Sequence, residues 1–446
     1  MADVVIVGTG PAGIFAAIEL MRRAPGLDIV MIEQGKDIGE RSRSGKEMLV
    51  GWGGAGAFSD GKLTISTDVG GQIASLMPET DLLSLLEYVD GIYSSYAPHK
   101  AVYNLSSDDA QGISAQARLA GLVYVPTRIR HLGTENCYTI LKDIRHDLNG
   151  KVRMIFNAMA GEIIKDSGRV TGVRLEDGTV IDARYVIVAP GRVGAKWMAD
   201  QAKALNLETW TNPVDLGVRV ELPAVVMEHL TSVAYETKFI YYSKTFDDRV
   251  RTFCMNPYGE VVRETIGDIL TVNGHSWANK KTENTNFAIL VSANFTEPFD
   301  DAIGYGRYVA TLANMLGKGV IIQRLGDLLS GRRTTPSRLE KCTTTPTLKE
   351  ATPGDLSYCI PYRILQDIIE MISCLDRLAP GVNSGHTLLY GLEVKFYSNR
   401  IRLDKDLQTQ VEGLYAVGDG AGITRGLTQA SCSGVIAARS IAGRCA

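Results

Sequence analysis

The chain contains 446 residues with a formal net charge of −3, and 45% of its residues are hydrophobic and 22% charged. This length exceeds what one ordinary hydrophobic core needs, so we expect two or three domains. The composition is typical of a globular protein. The sequence has no long run of like charges that would indicate nucleic acid or an anionic membrane as a partner.

The cysteines and the apolar segments exclude further classes of protein. The seven cysteines are scattered with no CxxC pair, which argues against a disulfide framework, a structural zinc site and a dithiol redox centre. We therefore expect no bound metal. No stretch approaches the roughly 20 apolar residues of a membrane span, and the N-terminal residues resemble a strand rather than a signal peptide. These features favour a cytoplasmic protein with no membrane span.

The N-terminal segment contains the motif Gly8-x-Gly10-x-x-Gly13. An apolar strand pattern precedes it, a helix pattern follows at residues 11–21, and a second strand pattern ends at Glu33. In this strand–turn–helix–strand context the motif predicts a dinucleotide-binding unit. The alternative is a glycine-rich turn in an ordinary βαβ unit.

The residue types in this motif have separate physical roles. Gly8 permits a tight turn, Gly10 allows the backbone to approach a pyrophosphate, and Gly13 allows the helix to pack closely on the strand. The free N–H groups and the positive dipole end of the helix favour the phosphates. Glu33 is placed to accept hydrogen bonds from a ribose diol.

A glycine-rich segment, GWGGAGAFSDGKL, occupies residues 51–63. Five glycines in its first eleven residues argue against a regular helix or strand. Trp52, Phe58 and Leu63 are too bulky and apolar for a plain linker. We therefore expect backbone packed closely against a ligand, with a flexible linker as the alternative.

In the rest of the chain, the spacing of apolar residues separates strand patterns from helix patterns. Residues 169–182 predict a hairpin with an Asp-Gly turn. The strand pattern that follows ends in Ala189-Pro-Gly191, which indicates that the chain returns to the cofactor at this point. From about residue 205 the strand patterns predict a mostly antiparallel second domain. Helix patterns occupy residues 71–97, 112–124, 302–317, 319–329 and 361–376.

These patterns predict an α/β chain with two domains. The first is a Rossmann-like cofactor-binding domain, containing a parallel sheet with helices and a β-hairpin. The second is an inserted α+β substrate domain with a mostly antiparallel sheet. We expect the first domain at residues 1–70, 112–204 and 385–446, the inserted domain at 205–384, and a helical excursion assigned to neither at 71–111.

Motifs at both ends of the chain carry a resemblance to known flavoproteins. The GxGxxG turn with Glu33, Ala189-Pro-Gly191 and Gly418-Asp419 together resemble the FAD-binding chains of the glutathione-reductase-like superfamily. Three longer segments, at 51–63, 388–398 (LLYGLEVKFYS) and 414–434 (LYAVGDGAGITRGLTQASCSG), resemble a family of bacterial and archaeal FAD-dependent dehydrogenases. The resemblance spans nearly the whole chain and implies a two-domain flavoprotein with non-covalent FAD, but it names no substrate.

The resemblance also implies a role for individual residues. The three glycines of the turn would meet the FAD pyrophosphate, Glu33 the adenosine ribose and Asp419 the ribityl chain. The helix that begins at Leu427 would direct its N-terminus toward the flavin N1–C2=O edge, where it favours negative charge, and Arg425 would add to this effect. The alternative for Arg425 is a solvent-exposed loop arginine. The implied FAD-binding set is completed by Pro11, Ala12, Gln34, Arg41, Gly53, Gly54, Ala55, Gly56, Ser59, Asp60, Gly61, Lys62, Ala160, Ala189, Gly191, Gly418, Gly426, Thr428 and Gln429.

Missing motifs narrow the chemistry of such a flavoprotein. No CxxxxC follows the first βαβ unit, which argues against a disulfide reductase. No second GxGxxG lies in the middle of the chain, which argues against a dedicated NAD(P)H domain. No His-x-x-x-Pro follows Gly418-Asp419, which places flavin hydroxylation second.

The acid or base should come from the inserted domain or from residues 330–400. The candidates are Tyr258, Glu260, His275, Tyr390, Glu393 and Lys395. His275 has the imidazole that titrates near neutral pH and suits proton transfer. For each candidate the alternative is a hydrogen-bonded structural group. Cys254 fits a buried small residue better than a nucleophile. Arg332, Arg333 and Arg338 suit either an anionic substrate or a solvated basic loop.

We therefore expect an FAD-dependent oxidoreductase, a dehydrogenase or oxidase that moves a hydride from a small organic substrate to the flavin. The first alternative is a reductase of C=C bonds fed by an external electron donor, as in flavoproteins that saturate prenyl chains. Lower alternatives are a flavin monooxygenase and a non-catalytic FAD-binding module. The expected partners are a small-molecule substrate and an external electron acceptor or donor. The sequence indicates neither the substrate nor the oligomeric state.

Overall fold

The computed structural model describes residues 1–42, 45–97, 102–103, 106–234, 236–277, 280–293, 295, 298 and 301–445. The chain forms two compact units. The first comprises residues 1–102, 130–212 and 397–446, and the second comprises residues 103–129 and 213–396. Compared with the predicted boundaries, the first unit also includes residues 71–102 and 205–212, while residues 112–129 and 385–396 belong to the second.

The first unit is built on a seven-stranded sheet. Its parallel part has the strand order Arg153–Ile155, Ile29–Ile32, Ala2–Val7, Val180–Val188, Leu414–Ala416. An antiparallel meander extends it through Arg169–Leu175 and Ala160–Asp166. The Asp-Gly turn of the predicted hairpin is confirmed, with Gly178 at φ +88° and Leu175 N–H donating to the carbonyl oxygen of Thr179 at 2.8 Å.

The first and last helices of this unit, Pro11–Arg23 and Leu427–Cys445, pack closely on each other because both carry small residues where they meet. At Gly434 an added Cβ would lie 2.0 Å from the carbonyl oxygen of Ala12, so only glycine permits this approach. The helices of the unit are Pro11–Arg23, Glu79–Tyr96, Thr134–Leu148, Ala195–Ala204 and Leu427–Cys445. Its remaining short strands are Lys62–Ile65, Thr209–Trp210 and Arg400–Ile401, while Val102–Tyr103 and Arg128–His131 span the points where the chain passes between units.

The second unit contains an eight-stranded sheet whose first pair is parallel and whose other pairs are antiparallel. The strand order is Thr352–Pro353, Ile321–Arg324, Leu388–Lys395, Val214–Pro223, Asn284–Ala293, Arg249–Asn256, Lys238–Tyr242, Val123–Val125. A separate hairpin pairs Glu260–Ile266 with Ile269–His275. The helices are Ser107–Leu119, Ala224–Thr231, Ala302–Gly317, Leu325–Leu329, Pro336–Leu339 and Tyr362–Leu378.

One face of this sheet carries buried charges. Along Val214–Pro223 the side chains alternate between faces, and one set, including Leu216 and Val218, joins the hydrophobic core. The other set includes Asp215, Arg219 and Glu221, all buried. Buried charges need partners, so this face has to be a polar network.

The predicted fold class is confirmed by the Rossmann-like first unit and the sheet-based second unit. Two predicted helices are confirmed as Ala302–Gly317 and Tyr362–Leu378. The helix predicted over residues 319–329 is wrong in its first half, because Ile321–Arg324 pairs as a strand with Leu388–Lys395. The helix predicted over 112–124 ends at Leu119 and is followed by a strand, and the one predicted over 71–97 begins only at Glu79, after Pro78.

Candidate functional site

The N-terminal turn leaves one of its glycine positions open. At Gly8 (φ +101°) an added Cβ would lie 2.3 Å from the carbonyl oxygen of Ala189, and at Gly13 it would lie 2.0 Å from the carbonyl oxygen of Gly8. The chain itself therefore requires glycine at both positions. At Gly10 an added Cβ would meet nothing within 4 Å. The space beside Gly10 is thus available to a ligand.

Helix Pro11–Arg23 begins at this open position without a side-chain cap. Its N-cap residue is Gly10, its first turn contains no acidic residue, and Pro11 has no N–H. The first-turn N–H groups and the helix dipole therefore favour an anion placed there. This arrangement fits the pyrophosphate of a dinucleotide.

Glu33 joins the turn to the glycine-rich loop. Its Oε2 accepts hydrogen bonds from the N–H and the hydroxyl of Thr9 at 3.0 and 2.8 Å. Its Oε1 accepts from the N–H groups of Gly35 and Gly51, both at 2.9 Å. A carboxylate offers about four acceptor positions, so partners within the chain already match that number. Contact between Glu33 and a ribose diol stays a prediction, and it requires sharing one of these bonds.

The glycine-rich loop packs directly on the dinucleotide turn. Gly53 N–H donates to the carbonyl oxygen of Thr9 at 2.8 Å, and a Cβ at Gly54 would lie 3.2 Å from Cα of Gly10. Trp52 is fully buried. This close packing agrees with a specific structure rather than a flexible linker.

The same loop meets the starts of two helices. A Cβ at Gly56 would lie 3.1 Å from Cδ2 of Leu427 and 3.3 Å from Cγ of Pro11. Leu427 opens the last helix of the chain and Pro11 the first. The structure therefore brings together three segments that the sequence assigns to FAD.

Five further residues predicted near FAD differ in burial and in their partners. Asp60 Oδ2 lies 3.3 Å from Lys62 Nζ. Arg41 is buried, donates hydrogen bonds to backbone carbonyl groups, and has its pKa lowered by burial to about 10. Gln34 is exposed and Ala160 is buried. Their contact with FAD stays a prediction.

Asp419 follows strand Leu414–Ala416 and is held by two neighbours. Its Oδ1 accepts a hydrogen bond from the Thr424 hydroxyl at 2.8 Å, and its Oδ2 lies 3.7 Å from Arg192 Nε. Burial raises the pKa of Asp419, while Arg192 and Thr424 act in the opposite direction. A carboxylate of this kind suits hydroxyl donors, as the ribityl role predicts.

Arg425 has a defined position beside the start of the last helix. Its guanidinium carbon lies 3.5 Å from the centre of the Tyr397 ring. Its backbone N–H donates to the carbonyl oxygen of Gly70 at 2.5 Å. This stacking differs from the freely solvated loop arginine considered as the alternative.

Three of the predicted catalytic residues lie at one end of the hairpin in the second unit. Glu260 pairs with His275 across the two strands, and Tyr258 lies two positions before Glu260, where the first strand begins. Glu260 accepts hydrogen bonds from Trp277 Nε1 at 2.8 Å and from Lys280 Nζ at 2.7 Å. Burial raises the pKa of Glu260, but the bonds to Lys280 and Trp277 lower it overall.

Lys395 is separate from those three candidates. Its Nζ lies 3.2 Å from Glu393 Oε1 and 3.5 Å from Glu264 Oε2. Glu264 occupies the same strand as Glu260 but lies near its other end. The structure therefore groups the first three candidates and places Lys395 elsewhere.

Sequence reasoning named Glu393 as a catalytic candidate or a hydrogen-bonded structural group, but it missed the buried charge network that surrounds it in the eight-stranded sheet. Arg219 makes two nitrogen–oxygen contacts of 2.8 Å with Glu393, and both side chains are fully buried. Asp215 accepts hydrogen bonds from Arg251 at 2.5 Å and from Ser292 at 2.6 Å. The available signal was a charged residue at alternate positions of an otherwise apolar strand.

Two further searches cover only the described part of the chain. There, no helix combines the length and the apolar content needed to cross a membrane. Within the same residues, no group of three His, Cys, Asp or Glu side chains is placed to hold a metal ion.

Comparison with known families supports a flavin cofactor. Residues 213–396 match the family described as "FAD-dependent protein, C-terminal domain-like", and residues 6–88 match the family described as "NAD(P)-binding Rossmann-like domain". The cofactor of the chain is FAD, and the open position at Gly10 agrees with it.

Individual relatives are distant. A protein of Clostridium beijerinckii named "Uncharacterized protein" is 25% identical, covering 98% of this chain and 80% of its own length. Among solved structures, a glycine oxidase from Bacillus cereus is 13% identical, covering 100% of this chain and 96% of that chain with a TM-score of 0.38. An L-proline dehydrogenase from P. horikoshii is 11% identical, covering 99% and 93% with a TM-score of 0.40.

Proposed function

We propose that the chain is an FAD-dependent dehydrogenase or oxidase that removes a hydride from a small organic substrate. The observation that carries the FAD-binding part of this proposal is the open side of Gly10 at the uncapped start of helix Pro11–Arg23. FAD supplies hydride-accepting chemistry when it is bound. The chain contributes binding, orientation and charge. We further propose membership of the glutathione-reductase-like superfamily, on the motifs at both ends of the chain.

The direction of electron flow is proposed from the motifs that the sequence lacks. Without a CxxxxC pair, a second GxGxxG in the middle of the chain or a His-x-x-x-Pro after Asp419, disulfide reduction, a dedicated nicotinamide domain and aromatic hydroxylation lose support. An organic substrate is then the simplest source of the hydride. The electrons leave through an external acceptor.

For proton transfer we propose Glu260 or His275. They are direct cross-strand neighbours, and a carboxylate beside an imidazole is a combination that general acid–base catalysis uses. Lys395 is a weaker candidate, because its ammonium group contacts two carboxylates and its side chain is buried, whereas Glu260 and His275 are partly exposed. We assign it to positioning rather than to proton transfer.

The first experiment is anaerobic mixing of the purified yellow holoprotein with NADH and with NADPH, while the oxidised flavin band is followed. We expect no bleaching by either nucleotide and full bleaching by dithionite. A screen of small organic substrates by flavin reduction follows. Fast bleaching by a nicotinamide would overturn the proposal in favour of a reductase or monooxygenase.

The screen also separates an enzyme from a binding module. For a substrate found in it, Glu260→Gln and His275→Asn are compared at constant FAD content. We expect at least one of them to slow flavin reduction on the order of a hundredfold. A flavin that dithionite reduces but no organic substrate bleaches would favour a non-catalytic FAD-binding module.

A further inference from the structure

A single buried carboxylate in the second unit is surrounded by three arginines. The Asp327 side chain is fully buried. Its carboxylate lies 2.9 Å from Arg332 Nε, 3.9 Å from Arg338 Nη1 and 4.0 Å from Arg324 Nη1. The Thr334 hydroxyl donates a hydrogen bond to the same carboxylate at 2.9 Å. Three guanidinium groups therefore converge on one point of the structure.

Positive charge exceeds negative charge at this point. A guanidinium group is a permanent cation in proteins, and one carboxylate offsets only one of the three. The segment from residue 324 to residue 341 contains five Lys or Arg residues and two acidic residues, so the rest of the segment does not correct the imbalance. Like charges held this close repel each other. An anion bound among the three arginines would reduce this repulsion.

Few of the guanidinium nitrogens have an acceptor in the described part of the chain. Arg324 Nη1 donates to the carbonyl oxygen of Arg338 at 3.0 Å, and Arg338 Nη1 donates to the carbonyl oxygen of Arg333 at 2.9 Å. The Arg332 side chain donates there only through Nε, to Asp327. Arg324 Nε is buried without a hydrogen-bond partner among the described residues, which is unfavourable and rare. The cluster therefore offers donors that an acceptor from outside the chain can use.

The cluster is held by its own loop and is partly open to solvent. The Arg332 N–H donates to the carbonyl oxygen of Asp327 at 3.0 Å, and the Thr334 N–H donates to that of Gly354 at 2.9 Å. The Arg332 and Arg338 side chains are 54% and 37% exposed, so a small anion can reach them from water. These contacts favour a formed site over a freely solvated basic loop.

We propose that Arg324, Arg332 and Arg338 bind the phosphate group of a small-molecule ligand. The N–H groups of a guanidinium form a planar fork that fits phosphate oxygens. A phosphate monoester carries a charge of about −1.5 to −2 at pH 7, which matches the excess positive charge of the cluster. The inference concerns the second unit alone and rests on neither FAD binding nor the proposed hydride transfer.

The test is isothermal titration calorimetry of the purified holoprotein with inorganic phosphate, with glycerol phosphate as a monoester and with succinate as a dicarboxylate. In the holoprotein the pyrophosphate of FAD already fills its own site, so the added phosphate does not report on that site. Low ionic strength keeps charge screening small. We expect both phosphates to bind, and succinate to bind on the order of tenfold more weakly, because each of its carboxylates brings only one charge to the cluster. Succinate binding as tight as that of phosphate would overturn the phosphate assignment.

Arg332→Gln and Arg338→Gln should each weaken phosphate binding on the order of tenfold, because each removes a charged hydrogen-bond donor. Arg333→Gln is the matched control, since it removes the same charge from an exposed neighbouring position, and it should retain most of the affinity. Arg332→Lys keeps the charge but loses the fork, so it too should weaken binding, and it serves if a glutamine variant fails to fold. No phosphate binding by the wild-type holoprotein, or equal weakening by Arg333→Gln and Arg332→Gln, would overturn the proposal in favour of a solvated basic loop.

Discussion

Arg219 and Glu393 form an ion pair with two contacts of 2.8 Å, and neither side chain is exposed to solvent. They lie on the adjacent antiparallel strands Val214–Pro223 and Leu388–Lys395. Burial lowers the pKa of Arg219, but the Glu393 carboxylate raises it, and the net shift is upward. The Arg219 guanidinium therefore stays charged inside the second unit, where Glu393 is its partner.

Replacing Glu393 with Gln should strongly destabilise the holoprotein. The change removes the negative charge and leaves the Arg219 guanidinium buried without neutralisation, which costs about 3–5 kcal/mol of unfolding free energy when one partner is lost. Denaturant unfolding measures the effect. Glu208→Gln is the control, because the Glu208–Arg402 pair is exposed on both sides and should contribute no more than about 1 kcal/mol. Equal effects of the two substitutions would contradict the prediction.

Asp367 should make stability depend on pH. This buried carboxyl lies on helix Tyr362–Leu378 beside Asp248, which Arg363 binds at 2.5 and 2.8 Å. Burial raises the pKa of Asp367 to about 6, and the Asp248 carboxylate adds to the shift. The pKa in the unfolded chain is about 3.9. The folded state thus binds this proton more tightly, so the stabilisation is complete below about pH 4 and lost as pH rises through about 6.

Asp367→Asn should remove this dependence, because the amide does not ionise. The melting temperature of the variant, relative to the wild-type chain, should rise as pH increases from about 4 to about 7. Thermal unfolding over this range measures it. Asp143→Asn, a change at an exposed position of helix Thr134–Leu148, is the control and should follow the wild-type profile. An identical profile for Asp367→Asn would refute the argument.

Replacing Asp419 with Ala should weaken FAD binding without unfolding the chain. The variant loses an acceptor for the ribityl hydroxyls, and one hydrogen bond to a charged group is worth on the order of tenfold in affinity. FAD release, followed by fluorescence, measures the change. Asp200→Ala, at an exposed position of helix Ala195–Ala204, should leave it unchanged. Unaltered flavin affinity in the Asp419 variant would count against the ribityl role.

The local parts of the fold were predictable because short-range rules determine them. The GxGxxG turn and the Asp-Gly hairpin require glycine at positive φ, as found at Gly8 and Gly178. Residues 321–324 were not predictable in this way. Their apolar pattern fits a short helix or a buried strand equally, and pairing with Leu388–Lys395 decides for the strand.

The site shows the same division between local and long-range information. The glycines of the turn were predicted from their spacing within a strand–turn–helix–strand pattern. Arg219 and Glu393, in contrast, are separated by 174 positions, and no local pattern relates them. Contacts of this separation depend on the assembled fold and leave only weak signs in the sequence.

Gly10→Val should abolish FAD retention while the chain still folds. The valine side chain meets no protein atom within 4 Å at its Cβ position, and Gly10 has no positive φ, so the backbone tolerates the change. The side chain would instead fill the space beside the start of helix Pro11–Arg23 and block the pyrophosphate. Absorbance of the purified protein in the flavin band measures retention.

Gly26→Val is the matched control for this prediction. A Cβ at Gly26 also meets nothing within 4 Å, but the residue lies exposed in the turn after the helix, so that variant should purify as yellow protein. Circular dichroism is the check on folding, and we expect both variants to give the wild-type spectrum. A yellow Gly10→Val protein with the wild-type FAD content would refute the assignment of the turn, because open space that tolerates valine without losing FAD is not the pyrophosphate site.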